Sequence, residues 1–347
     1  MKTKTVSTHF SLALAAFLGA SCAFAATPVS ASAKAGLAWP NGDTVSMPQY
    51  AGSGKVSWYY TWIADPINYD GDLEFVPLLW GDEESIKNWD KSMNNLFKKK
   101  KNTAAVMGMN EPDHDGQAAL TPEQGVEVWK EHIKPLKESH GVRLGSPGPT
   151  SAAKGKQWLL DWQAACGSDC DFDFLVLHHY GWNSTHFINY ITDMHDTFQK
   201  PIWVTEWACH DFSTEFVRTC SAEDVKIYLN TTQSWMDSLD WIERYAWFGA
   251  MKDMRNVNPL NALMDSNGVI NELGLQYIGG YASSSLSHLT ELLPLSLLDW
   301  KGPGLPDSSL PRGANANRPP NSASSLQIIS SVSLGALGLV LALGVYL

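Results

Sequence analysis

The amino-acid sequence predicts an α/β protein built as a single (β/α)8 TIM barrel. Eight short, mostly continuous apolar runs recur along the middle of the chain, as expected for parallel strands that are covered on both faces. Helix-like segments with capping residues lie between several of these runs. Strand and helix alternating eight times over about 250 residues is the size of such a barrel.

Each predicted strand finishes near a polar or aromatic residue, just before the loop that follows it. Half-exposed strands alternate apolar and polar residues, whereas most of these runs do not. In chain order the runs are AGLAW (35–39), VSWYY (56–60), EFVPLLW (74–80), AAVMGMN (104–110), VRLGSP (142–147), FLVLHHY (174–180), PIWVTE (201–206) and RYAWFG (244–249).

The intervening helices are predicted from their termini. The segment at 121–141 begins with Thr121 as N-cap and Pro122 in its first turn, and it closes at a glycine. Ser221 and Asp224 form a capping-box pattern at the start of another helix. Further helices are expected at 155–166, at 184–200 and near 271–282, and the lysines at 98–101 are expected in the last turn of a helix, where cations suit the dipole.

The N-terminus carries a secretory pattern. Two lysines precede an apolar stretch at 10–18, and the small-residue site AFA follows at 23–25. This order indicates a signal peptide over residues 1–25, so the barrel domain is expected over 26–283.

The C-terminus carries a second targeting pattern. A Ser- and Pro-rich linker is expected over 284–322, and residues 323–347 form an apolar tail with no basic residue after it. Because no Lys or Arg follows the tail, a GPI (glycolipid) anchor signal is favoured over a spanning helix. Asn315 and Asn321 are both candidate attachment residues, and the secreted protein is expected at the cell surface or in the cell wall.

The charge of the chain limits its partners. The formal net charge is −11, and loss of Lys2 and Lys4 with the signal peptide takes it to about −13. Nucleic acid and anionic lipid both need clustered Lys and Arg, so neither is an expected partner. Membrane contact is expected only through the lipid anchor, and the protein is expected to be a monomer.

The cysteines predict disulfides rather than a metal site. Cys22 leaves with the signal peptide, and an even set remains, for which three pairings are possible. The local pairs Cys166–Cys170 and Cys209–Cys220 close the shortest loops and are preferred. Zinc is disfavoured because no HExxH motif is present and export favours oxidation, so neither a metal nor a cofactor is expected.

Two sequons also fit an exported glycoprotein. They begin at Asn183 and Asn230 and predict surface positions for both residues.

Two carboxylates stand at predicted strand ends, where this barrel places its catalytic residues. Glu111 follows the fourth run and Glu206 closes the seventh. Such a pair hydrolyses glycosidic bonds when one acid protonates the leaving oxygen and the other attacks the anomeric carbon or activates water. Their environments must then push the two pKa values apart. A salt-bridged structural acid is the alternative for each glutamate, and no phosphate-binding glycine motif follows any strand.

Aromatic residues at strand ends suit a sugar ligand, because indoles stack on the apolar faces of a pyranose ring. The chain has 15 tryptophans. Those in helical segments (Trp129, Trp158, Trp162, Trp235 and Trp241) are expected to pack inward. The strand-end aromatics are the ones expected to contact a ligand: Trp39, Tyr60, Trp80, Trp207 and Trp247.

The strand-end motifs together resemble a known family. MNEP at 109–112, VTEW at 204–207 and HHY at 178–180 are similar to the retaining (β/α)8 glycosidases of clan A. With GLAW, SWYYTW, FVPLLWG and WVTEWAC, the set over roughly 34–283 resembles the fungal Asl1-like glycosyl hydrolase catalytic core, glycoside hydrolase family 128. The resemblance implies hydrolysis of β-1,3-glucan.

The same resemblance implies roles for individual residues. Glu111 would be the general acid/base and Glu206 the nucleophile, while Asn110 would bind the sugar 2-hydroxyl. Tyr180 would hold and polarise Glu206, and Trp247 would form the floor of the subsite beside the scissile bond. His178 is a further expected substrate contact.

Three hypotheses follow from these observations. The first is a secreted, glycolipid-anchored retaining endo-β-1,3-glucanase, in which the two carboxyl groups should be about 5–5.5 Å apart. The second is a β-glucan-binding or wall-sensing protein whose barrel has lost catalysis. The third is transglycosylation, for which the same residues would serve.

Overall fold

The computed structural model describes residues 33–99, 101–212 and 218–279. The predicted signal peptide, the linker and the GPI-anchor signal lie outside these residues. Within the described ranges no helix has the length and apolarity needed to cross a bilayer.

Eight parallel strands, one in each predicted run, confirm the (β/α)8 fold class. They are β1 (Ala35–Ala38), β2 (Val56–Tyr60), β3 (Glu74–Phe75), β4 (Ala105–Met107), β5 (Arg143–Gly145), β6 (Leu175–Gly181), β7 (Ile202–Cys209) and β8 (Ile242–Trp247). Six pair in the order β3-β2-β1-β8-β7-β6, and β4 pairs with β5. Isolated parallel bridges, Leu78–Met107 and Gly145–Phe174, connect the pair to the two edges of the six-stranded sheet.

The helices surround the strands. They are α1 (Pro48–Ala51), α2 (Glu83–Lys98), α3 (Pro122–Val128), α4 (Lys134–His140), α5 (Ala153–Cys166), α6 (Ser184–Phe198), α7 (Ala222–Asp237) and α8 (Glu272–Tyr277). Thr121 and Ser221 both complete capping boxes, so α3 and α7 begin where their capping residues predict. Lys98 lies in the last turn of α2, as expected.

The predicted helix at 121–141 is interrupted by a π-helical turn over Trp129–Ile133. In this turn the Lys134 amide donates to the carbonyl of Trp129, five residues earlier. Pro135 has no amide hydrogen to donate, which weakens the regular α-helical ladder at this point. The helix then resumes as α4 and ends at Gly141, which has the left-handed conformation typical of such ends.

The barrel interior is filled by aromatic side chains. Trp203 stacks on Phe174 with the ring centroids 3.8 Å apart and lies 5.4 Å from Trp58. Glycines make room for these rings, because a Cβ at Gly36 would lie 2.2 Å from the Trp58 indole and one at Gly145 2.4 Å from the Phe174 ring. The predicted inward packing of the helix tryptophans is also confirmed, since Trp129, Trp158 and Trp162 are buried and Trp235 and Trp241 pack partly buried on the core.

The preferred disulfide pairing is confirmed, since Cys166 pairs with Cys170 and Cys209 with Cys220. Asn230 is exposed on α7 and Asn183 is half-buried as the N-cap of α6. Their glycosylation stays a prediction.

A buried ion pair closes the end of the barrel where the strands begin. The Arg244 guanidinium donates to Glu74 at 2.5 Å and lies 4.4 Å from the Trp203 ring centroid. The side chains of Arg244 and Glu74 are only 22% and 10% exposed. Glu74 also accepts a hydrogen bond from the amide of Ala104.

We expect Arg244→Met to lower the free energy of unfolding by about 3 kcal/mol, because it leaves the Glu74 carboxylate buried without a cation. Urea denaturation followed by circular dichroism measures this change. Arg143→Met is the matched control at the same end of the barrel. Its bidentate pair with Glu243 is 42% and 31% exposed, so the loss should be about 1 kcal/mol or less. Equal losses in the two variants would contradict this account of Arg244.

Candidate active site

A cavity of about 690 Å³ lies at the mouth of the barrel, beyond the C-terminal ends of the strands. Its size is within the range of small-molecule sites, and both predicted acids line it. The walls come from strands β6 and β7 and from the loops after β2, β3, β4, β5, β7 and β8, with aromatic side chains at several points: Trp62, Trp80, Tyr180, Phe212 and Phe248.

Glu111 lies just after β4 in a left-handed conformation, with φ of 42°. A non-glycine residue there costs free energy and is held by its surroundings. The Glu111 amide donates to the carbonyl of Gly148 at 2.7 Å. Two residues on, the Asp113 carboxylate accepts hydrogen bonds from the amide and the hydroxyl of Thr150, so the loop after β4 is tied to the loop after β5.

Glu206 lies inside β7 rather than at its end, and a β-bulge directs its side chain. Towards β6, Leu177 pairs with Val204 and His178 with Glu206, so Thr205 is the extra residue of β7. A bulge reverses the inward and outward alternation of a strand beyond it. Trp203, two positions before the bulge, packs in the barrel interior. Without the extra residue, Glu206 would face the helices.

Glu206 as a whole is 5% exposed, and its carboxylate accepts two short hydrogen bonds. The Tyr180 hydroxyl donates to Oε2 and the Trp62 Nε1–H to Oε1, each at 2.7 Å. Tyr60 supports this arrangement from below, because its hydroxyl donates to the carbonyl of Thr205 at 2.9 Å. Both oxygens of the carboxylate therefore have donors from fixed aromatic side chains.

His178 lies between the two acids. Its Nδ1 is 3.0 Å from Glu111 Oε1, and its Nε2 is 3.7 Å from Glu206 Oε1. One oxygen from each glutamate and one imidazole nitrogen all lie within 4.8 Å of one another. His179 points the other way and contacts Tyr228 of α7, because neighbouring residues of a strand face opposite sides.

The surroundings shift the pKa values of Glu206, His178 and Tyr180. Burial raises the pKa of Glu206, and the charge of Glu111 acts in the same direction, while His178 and the two donated hydrogen bonds act against it. Burial would lower the pKa of His178, but the charges of Glu206 and Glu111 outweigh it and the pKa is raised. Burial followed by the Glu206 charge raises the pKa of Tyr180 well above its usual value, so the phenol remains a donor.

Glu111, His178 and Glu206 are also close enough to hold a metal ion, and they form one such group among the described residues. The donor set argues against this use. Both oxygens of Glu206 already accept hydrogen bonds, one from the Tyr180 O–H and one from the Trp62 N–H. These hydrogens carry partial positive charge and would repel a cation bound to the same carboxylate. The arrangement fits an acid pair better than a metal centre.

Asn110 and Trp80 lie where the sequence predicts a ligand contact. Asn110 donates through Nδ2 to Gln117 at 3.1 Å, while its Oδ1 is buried without a hydrogen-bond partner in the structure. A buried amide oxygen without a partner is an acceptor available to a ligand hydroxyl. Trp80 is partly exposed and lines the cavity.

The predicted substrate contacts of Trp39, Trp207 and Trp247 are wrong. All three indoles are fully buried on the outer side of the strands, where they face the helices and their connecting loops. Trp207 donates to Thr232 of α7, and Trp247 packs 6.3 Å from Tyr228 of the same helix. Each follows or precedes an inward-facing residue by one position, and neighbouring side chains of a strand point to opposite faces.

Tyr60 and His178 lie beneath the cavity rather than in its wall. Tyr60 is fully buried in the barrel interior and His178 is 1% exposed. Tyr60 bonds the backbone beside Glu206, and His178 contacts both acids. Both residues therefore position the acids and are not the substrate contacts that were predicted.

Sequence reasoning missed Trp62 and Phe248 as site residues. Trp62 follows β2 by two residues, has a left-handed φ of 61°, and packs 5.8 Å from Phe248. Phe248 lines the cavity at the place where Trp247, the residue before it, was expected. An aromatic residue just beyond a strand is the signal that marked Trp80, and applied to the loop after β2 it would also have marked Trp62.

Eight parallel strands with two carboxylates and aromatic residues at the mouth define a (β/α)8 glycoside hydrolase. Residues 36–277 match the family model described as the glycosyl hydrolase catalytic core. The chain belongs to this family, and the solved structures that it resembles are GH128 β-1,3-glucanases.

A curated relative is the Alkali-sensitive linkage protein 1 of Schizosaccharomyces pombe, 30% identical over 252 residues. The match covers 72% of this chain but only 45% of that protein, so the chain spans less than half of its relative.

Two solved structures are also similar. A GH128 subgroup VI exo-β-1,3-glucanase from Aureobasidium namibiae is 26% identical, with a TM-score of 0.60 over 71% of this chain and 95% of that one. A subgroup I endo-β-1,3-glucanase from Amycolatopsis mediterranei, in complex with laminaritriose, is 25% identical, with a TM-score of 0.58 over 72% and 100%.

We expect Trp62→Phe to reduce kcat about tenfold, because it removes a hydrogen bond donated to the charged form of Glu206. Losing this donor raises the pKa of Glu206, so the acidic limb of the pH–rate profile, where the rate rises as Glu206 ionises, moves to higher pH. Steady-state kinetics across pH on laminarin measures both effects. Trp80→Phe also removes an indole from the cavity, but it should alter KM and leave the acidic limb in place. If the acidic limb of the Trp62→Phe profile stays at the pH of the wild type, the indole contributes packing only and does not tune the pKa of Glu206.

Proposed function

We propose that this protein is a retaining endo-β-1,3-glucanase that acts by double displacement. The observation that carries the proposal is the separation of the two acids, with oxygens of Glu111 and Glu206 within 4.8 Å of each other. Retaining glycosidases hold their carboxyl groups about 5–5.5 Å apart, whereas inverting enzymes need about 6.5–9.5 Å to admit a water molecule.

In the first step Glu206 attacks the anomeric carbon and forms a glycosyl ester. Glu111 gives its proton to the glycosidic oxygen as that bond breaks. In the second step water attacks the same carbon, Glu111 takes a proton from the water, and the Glu206 carboxylate is released. Two inversions leave the product with the β configuration of the substrate.

The hydrogen bonds support this division of roles. Glu206 accepts from Tyr180 and Trp62, and donated hydrogen bonds favour the charged form that a nucleophile needs. The Glu111 side chain contacts His178 and is the more exposed acid, with 13% of its side chain accessible against 7% for Glu206. A proton donor that must also receive a proton from water suits the more accessible position.

The neighbours support β-1,3-glucan as the substrate, since both solved relatives are β-1,3-glucanases and one holds laminaritriose. Internal cleavage is supported by the shape of the site. The cavity is lined by residues from seven of the eight strands or from the loops that follow them, so wall residues lie on both sides of the acids.

We also propose that the protein is exported and held at the cell surface or in the wall by a glycolipid. The targeting patterns at both ends of the sequence support this, as do the two disulfides, which form in oxidising compartments.

We expect Glu206→Ala to lose on the order of 10⁴-fold or more in kcat, as the loss of a nucleophile does. Azide added to this variant should restore turnover and give an α-glucosyl azide, because azide replaces the nucleophile. Glu111→Ala, assayed on an aryl β-laminaribioside with a good leaving group, should give a β-glucosyl azide. Proton NMR identifies the anomers. The opposite pair of products would exchange the two roles, and an α-anomer as the first product of the wild type would exclude retention.

We expect phosphatidylinositol-specific phospholipase C to release the full-length protein from the surface of the cells that express it. Immunoblotting of the supernatant measures the release. A variant truncated after residue 322 is the control and should appear in the medium without the enzyme. Retention of that variant at the surface would contradict a lipid anchor.

A further inference from the structure

A second cavity, of about 300 Å³, adjoins the catalytic one between the loops after β7 and β8. We call it the side cavity. It shares three wall residues with the catalytic cavity, Asp211, Asn256 and Val257, so the two cavities are direct neighbours. Its other walls carry polar side chains that the mechanism does not use, chiefly His210, Arg218, Arg255 and Asn258.

The described walls of the side cavity are held in place by covalent and hydrogen bonds. The Cys209–Cys220 disulfide closes the loop after β7. Asn258 donates through Nδ2 to the carbonyl of Cys220, and its amide donates to His210 Nδ1 at 2.9 Å. These bonds join the loop after β8 to the loop after β7 at His210, four residues beyond Glu206, and at Cys220. The described residues that are joined in this way lose little freedom when a ligand binds.

Arg218 is held as well. Its guanidinium lies 4.4 Å from the centroid of the Trp182 ring, an indole that is 38% exposed on the loop after β6. The stacking orients the planar fork of donors. Such forks and the amide of Asn256 can each form paired hydrogen bonds with vicinal hydroxyls.

The charges of the side cavity favour an uncharged ligand over an anion. Arg218 lies 3.6 Å from Asp224 and Arg255 3.4 Å from Asp253, so each cation has a carboxylate beside it. Asp211 adds a further negative charge to the wall. Charge of both signs, together with amide and imidazole groups, suits a polyhydroxyl compound better than a phosphate.

We propose that the side cavity is a distal subsite that binds the same glucan chain beyond the residues engaged at the acids. This inference rests on the proposed glucanase function and deepens it, because it predicts a preference for chains long enough to fill both cavities. Arg218 and Arg255 are the residues that donate to the sugar hydroxyls in this subsite.

The test compares kcat/KM for laminarihexaose and laminaritriose in the wild type and in Arg218→Ala/Arg255→Ala. We expect the ratio of the long to the short substrate to fall about tenfold in the variant, since a few donated hydrogen bonds are lost. Both side chains are more than half exposed, at 52% and 62%, so the fold should tolerate the change. If the double variant does not fold, Arg255→Ala alone serves the same comparison.

Lys87→Ala/Lys91→Ala is the control, because it also removes two exposed cations, on α2 and away from either cavity. Its ratio should equal that of the wild type. An unchanged ratio in the arginine variant, with both oligosaccharides still hydrolysed, would overturn the subsite and leave the glucanase assignment intact. If the wild type hydrolyses neither oligosaccharide, the proposed function fails and the subsite with it.

Discussion

A carboxylate that is almost fully buried keeps its charge only when neighbouring groups donate hydrogen bonds to it or carry a compensating charge. This constraint governs the mouth of the barrel. Glu206 takes its donors from Trp62 after β2 and from Tyr180 of β6, and it lies beside His178. The loop after β2 and strand β6 must therefore converge on one side chain of β7. The filled aromatic interior below them supplies the rigid floor that this convergence needs, since packed cores allow little movement.

The sequence predicted the parts of this arrangement that depend on local pattern. Continuous apolar runs located all eight strands, capping residues located the starts of α3 and α7, and loop lengths selected the correct disulfides. The two acids were also found, because a barrel of this type places its reactive groups at one end. Each of these inferences needs only a few neighbouring residues.

The predictions that depended on the direction of a side chain were less successful. Alternation along a strand assigns faces only while the register is regular, and the extra residue Thr205 changes it within β7. Trp207 and Trp247 lie next to cavity-lining residues in sequence yet face the helices. Trp62 contacts Glu206 from a left-handed backbone conformation, and the sequence carries no signal for that conformation at a tryptophan, although its place just beyond β2 could have marked the residue.

The Arg244–Glu74 pair and the indoles around it lie at the opposite end of the barrel from the acids. The groups that close the base are thus separate from the loops that surround the cleft. Changes in those loops, including insertions, can accumulate during evolution without removing the ion pair at the base. One scaffold can in this way diversify the length and branching of the polymers it accepts while its thermal tolerance is inherited almost unchanged.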